Sequence, residues 1–143
     1  MRFPTMRFGS VVGALVILGA SAMPAATLSA QEPAGFDGQY LGSATLTHGG
    51  GGCSVIRSVD MTVTGAQVVV REIHLNGGAY TYRGSVSGVG EVSAVYQSKA
   101  LPTDVGPSAF TVSGTIHEKA FTGQRRHGVG KSACFFNIEL IKG

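Results

Sequence analysis

From residue 36 onward, apolar residues alternate with Ser, Thr and charged residues, and Gly or Asn interrupts the alternation at short intervals. A period of two marks strands with one buried face. The pattern predicts eight strands, over residues 36–47, 53–64, 67–75, 79–87, 91–98, 108–117, 120–127 and 133–142. Turn signals separate them, among them the Gly49–Gly52 run, Gly65-Ala66, Asn76-Gly77-Gly78, Gly88-Val89-Gly90, Pro102 to Pro107, Glu118-Lys119 and Gly128 to Lys131. Connections this short make successive strands antiparallel neighbours. The expected fold is therefore all-β, a single eight-stranded antiparallel up-and-down barrel, with a β-sandwich as the alternative. Closure into a barrel removes the exposed edges that a sandwich must protect.

The alternation also predicts which side chains face inward. In the second strand Cys53, Val55, Val59, Met61 and Val63 share one face, and in the last strand Cys134, Phe136, Ile138 and Leu140 do. Tyr80, Tyr82, Val86, Val92, Tyr96, Phe110, Val112, Ile116 and Phe121 complete the expected core. An outer-membrane barrel would need an apolar outer face on every strand and a polar lumen. Here one face per strand is apolar, and a barrel of this size uses that face as its core.

The first thirty residues differ in kind. Arg2 and Arg7 precede the apolar run Phe8–Met23, and small residues follow, with cleavage after Ala30 fitting best. This predicts a signal peptide over 1–30 and a barrel domain over 31–143, with a periplasmic or secreted destination. Without Arg2 and Arg7 the net charge of +3 becomes nine basic against eight acidic residues, so charge offers no argument for a nucleic-acid partner. No later run reaches the length of a membrane-spanning helix, so stable membrane insertion is not expected. The chain has two cysteines, Cys53 and Cys134. In an oxidising compartment such a pair forms one disulfide, and their spacing fits no redox or zinc motif. That bond would tie the first hairpin to the final strand, as barrel closure requires.

Motifs with catalytic associations fail on context. Gly130-Lys131-Ser132 ends like a phosphate-binding loop, but Arg125 stands where its first glycine should be and a strand follows where a helix should. His48-Gly49-Gly50-Gly51 resembles an oxyanion loop without any G-x-S-x-G elbow. His48, His74, His117 and His127 show no ligand spacing and are expected to face solvent, so neither metal nor cofactor is expected. Arg125-Arg126-His127 could bind an anion, but reads better as a solvated strand end with Glu118 across the hairpin. No carboxylate pair or Ser/His/Asp set nominates catalysis, and the expectation is a protein that is not an enzyme.

One polar constellation stands out. Pairing across Gly65-Ala66 sets Val59 opposite Glu72 and Arg57 opposite His74, so that Arg57, Glu72 and His74 would project together into the barrel or its mouth. Charges there need partners or a polar ligand. A single bulge would instead place Val69, Ile73 and Leu75 inside and turn Glu72 and His74 to solvent, and the apolar content of that face favours this second register. The candidate ligand-binding residues are thus Arg57, Glu72, His74, Tyr80, Tyr82, Tyr96 and Phe110.

The start Phe36-Asp37-Gly38-Gln39-Tyr40-Leu41-Gly42, the strand Val112-Ser113-Gly114-Thr115-Ile116 and the close Cys134-Phe135-Phe136-Asn137-Ile138-Glu139-Leu140 resemble small exported proteobacterial proteins of uncharacterised function. That resemblance implies a periplasmic β-barrel and transfers no active residue. Avidin-like barrels are similar in shape and share a G-x-[WY] start, here Gly38-Gln39-Tyr40, but they line their biotin pocket with Trp, which this chain lacks. Lipocalins share the barrel outline only. Periplasmic inhibitors of secreted metalloproteases are also eight-stranded barrels with one disulfide, although its placement differs here; they act through an N-terminal trunk, and Gln31–Gly35 could form a short one. The expected partner is a small molecule or an envelope or secreted protein, with protease inhibition as the alternative.

Overall fold

A computed structural model describes residues 35–98 and 109–143. The expected signal segment, residues 31–34 of the expected trunk and the Pro102–Pro107 turn lie outside the described residues. Eight strands run in chain order: β1 (Gly38–His48), β2 (Ile56–Thr64), β3 (Gln67–His74), β4 (Ala79–Val86), β5 (Glu91–Tyr96), β6 (Phe110–His117), β7 (Ala120–His127) and β8 (Cys134–Lys142). Each pairs antiparallel with the next, and β8 pairs with β1 to close the barrel. All eight predicted strands exist, and the barrel rather than the sandwich is the fold.

Register follows from the turns. Gly65, at φ 59°, allows the tight β2–β3 hairpin, which sets Thr64 opposite Gln67 and Val63 opposite Val68. The amide of Gly65 donates to Asp37 Oδ1 at 2.7 Å, and Tyr40 Oη donates to the Phe36 carbonyl at 2.8 Å. The Phe36-Asp37-Gly38-Gln39-Tyr40 segment thus folds over one end of the barrel. Phe36 packs there against the core.

The interior is filled by inward side chains. Tyr40, Met61, Val63, Val68, Phe121 and Leu140 are fully buried towards the Phe36 end, and Val70, Tyr82, Val112, Phe136 and Ile138 lie deeper along the axis. Outward positions such as Thr62, Arg71, Arg83, Glu91, Ser113 and Glu139 are exposed and polar, the reverse of a lipid-facing pattern. Among the described residues no helix is long and apolar enough to cross a membrane.

At the opposite end, the mouth, Cys53 and Cys134 form a disulfide with Cα atoms 5.8 Å apart. It joins the β1–β2 connection to the start of β8 across the end of β1. The second strand begins later than predicted: Cys53 precedes it, and Val55 points to solvent at 61% exposure. The cause is a bulge. Ile56 opposes His74 and Ser58 opposes Ile73, so Arg57 has no partner on β3 and is exposed. The extra residue shifts the alternation, and Ile56 rather than Val55 enters the core.

Candidate functional site

The mouth is built from the last inward position of each strand that ends there. β3 supplies Glu72 and His74, β4 Tyr80 and Tyr82, β5 Tyr96, β6 Phe110 and β7 Arg125 and His127. On β3 the inward set is Val68, Val70, Glu72 and His74, while Val69 and Ile73 are half-buried and Leu75 is exposed. This corrects the register favoured from apolar content. A bulge is present, but it lies on β2 and expels Arg57 instead of turning β3. The Gly65 hairpin fixes Val63 against Val68, and unbroken alternation then carries Glu72 and His74 inside. Arg57 is therefore not part of the site.

Glu72 and Arg125 are both buried, with Arg125 Nε 3.0 Å from Glu72 Oε1. The cation that answers Glu72 comes from across the barrel, on β7. The single hydrogen of that Nε points to Tyr82 Oη, also 3.0 Å away, and Tyr82 in turn donates to Glu72 Oε2 at 3.3 Å. Among the described residues, Glu72 Oε1 therefore keeps the ionic contact without a hydrogen bond. Phe136 covers the guanidinium, its ring centre 4.8 Å from Cζ. Arg125 Nη2 donates to His127 Nδ1 at 2.9 Å. Since Arg is always a donor, His127 accepts at Nδ1 and carries its proton on Nε2.

Burial dominates the protonation of these groups. It raises the Glu72 carboxyl from 4.5 to about 7, against the opposing pull of the Arg125 charge and of the hydrogen bond from Tyr82. It lowers His127 to about 4, with the Arg125 charge adding to the effect. It lowers His74 for the same two reasons, and raises the Tyr82 phenol. His74 is 3% exposed, and among the described residues neither ring nitrogen has a hydrogen-bond partner; Glu72 Oε2 lies 3.5 Å from Nε2.

Aromatic rings frame these groups. Tyr80 packs 4.8 Å from His74, 5.2 Å from Tyr96 and edge-on 5.2 Å from His127, and Phe110 meets His127 edge-on at 4.6 Å. A cavity of about 50 Å³ opens here, lined by Gly52, Ser54, His74, Tyr80, Arg125, His127 and Cys134.

Of the seven ligand-binding candidates, the structure gathers Glu72, His74, Tyr80, Tyr82, Tyr96 and Phe110 and leaves out Arg57. Sequence reasoning missed Arg125 and His127. Arg125 is not on a solvated strand end: it is 2% exposed, and Glu118 sits in the turn at the other end of β7. Its position on β7 between Phe121 and His127, at even spacing from both, was the available signal. His48 and His117 are exposed as expected, whereas His74 and His127 are not. Among the described residues, no group of three or more His, Cys, Asp or Glu is placed to hold a metal ion. Compared with protein-family models, curated proteins and solved structures, the chain matches none of them.

Proposed function

We propose that this chain is an exported, non-enzymatic binding barrel whose ligand is a small polar molecule received at the mouth. The observation that carries the reading is His74, a buried imidazole without a hydrogen-bond partner among the described residues, beside a buried guanidinium, both lining an open cavity. Buried polar groups are normally satisfied, and an exception at a cavity suits a site completed by a ligand. The filled interior argues against a large apolar ligand of the lipocalin kind, which needs several hundred Å³. Export to the periplasm or beyond is supported by the Arg2 and Arg7 start, the apolar run and the disulfide.

The test is a set of amide NMR spectra of the disulfide-bonded protein against small anionic, neutral and cationic fragments. Saturable shifts at His74, Tyr80, Tyr96, Arg125 and His127 are expected. Shifts elsewhere only, or none at any concentration, overturn the proposal. The filled core also suits the second reading, a protease inhibitor. That reading expects inhibition of a secreted protease, lost when Gln31–Gly35 is deleted.

A further inference from the structure

We infer that the mouth is an oxyanion site, in which Arg125 and His74 hold a monoanionic headgroup of carboxylate size that enters together with a proton. This rests on the binding reading above and narrows it to one chemistry.

The first argument is charge. Of the cavity's lining side chains only Arg125 carries a full charge, because Glu72 lies beneath the guanidinium and outside the lining. The neutral histidines leave that positive charge unopposed within the cavity itself. The second argument is donor count. Arg125 has five N–H groups, and partners among the described residues use two of them, through Tyr82 and His127. His74 has one ring N–H that makes no hydrogen bond among the described residues, and His127 carries its remaining proton on Nε2. Ser54 and Tyr80 hydroxyls can turn either way. The lining is therefore rich in donors and poor in acceptors, which an anion with several lone pairs complements. The third argument is size. At about 10–15 Å³ per water, a cavity of about 50 Å³ takes a headgroup of a few heavy atoms, with any remaining part of the ligand outside the mouth among Tyr96 and Phe110.

Proton coupling follows from competition. Among the described residues, the titratable groups gathered around the guanidinium at the mouth are Glu72 and His74 from β3, Tyr80 and Tyr82 from β4, Tyr96 from β5 and His127 from β7. β2 contributes Ile56 and Val59, β6 Val112 and Phe110, and β8 Phe136 and the disulfide-bonded Cys134. Glu72 is the one anionic competitor for Arg125. Protonating it frees the cation, so each bound anion brings up to one proton and affinity falls by as much as tenfold per pH unit once Glu72 ionises.

The test titrates formate, nitrate, formamide and guanidinium into the disulfide-bonded protein at pH 5.5 and 8.5, following the ring signals of His74 and His127. Formate and nitrate should bind at least tenfold more tightly than formamide, and their apparent Kd should weaken tenfold or more at the higher pH. Glu72→Gln should flatten that pH dependence. His74→Phe, which keeps the ring and leaves the Glu72–Tyr82–Arg125 group intact, should weaken formate at least tenfold, with folding checked by the amide spectrum. Equal binding of formamide, or tighter binding of guanidinium, overturns the oxyanion chemistry while the ligand-binding mouth survives. Unchanged formate affinity in a folded His74→Phe overturns the role of His74. If none of the four probes shifts the mouth, this inference and the binding reading both fall.

Discussion

Replacing Glu72 by Gln converts a buried carboxyl into its uncharged near-isostere, and the structure sets the size of the effect. The Glu72 carboxyl is raised from 4.5 to about 7, chiefly by burial. Each pKa unit corresponds to about 1.4 kcal/mol, so the group changes stability by about 3 kcal/mol over its whole titration. The folded state binds this proton more tightly than the unfolded chain. Its stabilisation is therefore complete below pH 4.5, declines as pH rises through about 7, and is absent above. Gln has no proton to lose. The unfolding free energy of Glu72→Gln relative to the parent should thus rise by about 3 kcal/mol between pH 4.5 and pH 8, while other titrating groups cancel in the difference. Urea denaturation of both proteins with the disulfide intact, followed by far-ultraviolet circular dichroism at pH 4.5, 6 and 8, measures it. Parallel pH profiles would show that the Glu72 carboxyl titrates alike in the folded and unfolded chains, so that Arg125 and Tyr82 fully offset burial. A difference moving the other way would show that the fold prefers the carboxylate.

Three further outcomes test other parts of the structure. His127, lowered to about 4, contributes stability that is full above its ordinary 6.5 and is lost as pH falls to about 4; its ring proton signals should stay at the neutral position at pH 5 in an NMR titration. With both Cys53 and Cys134 replaced by Ser, the 81-residue closure is lost, and chemical denaturation should show a loss of about 4–5 kcal/mol. A methyl group at Gly84 would run into the Ser93 carbonyl and Ala94 Cα on the neighbouring strand, so Gly84→Ala should cost about 1–3 kcal/mol or more, whereas Gly50→Ala, with open space around it, should stay within about 0.5 kcal/mol in thermal unfolding.

The fold was legible because its signals are local. Gly65-Ala66 or Asn76-Gly77-Gly78 marks a turn whatever the rest of the chain does, and a period-two pattern such as Phe136, Ile138 and Leu140 defines a face without reference to a partner. The site was only half legible, for two physical reasons. The bulge at Arg57 depends on how β2 meets β3, and nothing in Ile56-Arg57-Ser58 announces it; one added residue moved Arg57 and Val55 outside. The partner of Glu72 lies 53 positions away on β7, brought close only by barrel closure. Apolar content favoured Val69 and Ile73 as the buried face, because the compensation that makes an inward Glu72 affordable was invisible until Arg125 crossed the barrel to meet it.

The placement of that pair is itself informative. Burying two opposite charges costs several kcal/mol per ion before their attraction is counted, and apolar side chains of similar volume commonly serve stability as well or better. The Phe36 end of this barrel is built in that way, from Tyr40, Met61, Val63, Phe121 and Leu140, with no buried charge among them. The same barrel, with the same strand alternation, places Glu72, His74 and Arg125 at the other end and leaves Glu72 Oε1 and both His74 nitrogens without hydrogen bonds among the described residues. Stability alone would favour continuing the apolar packing to the mouth. The binding role proposed above accounts for this division of the interior into an apolar half and an incompletely satisfied polar half, since apolar packing cannot present fixed N–H donors and a desolvated cation to a ligand that arrives from outside.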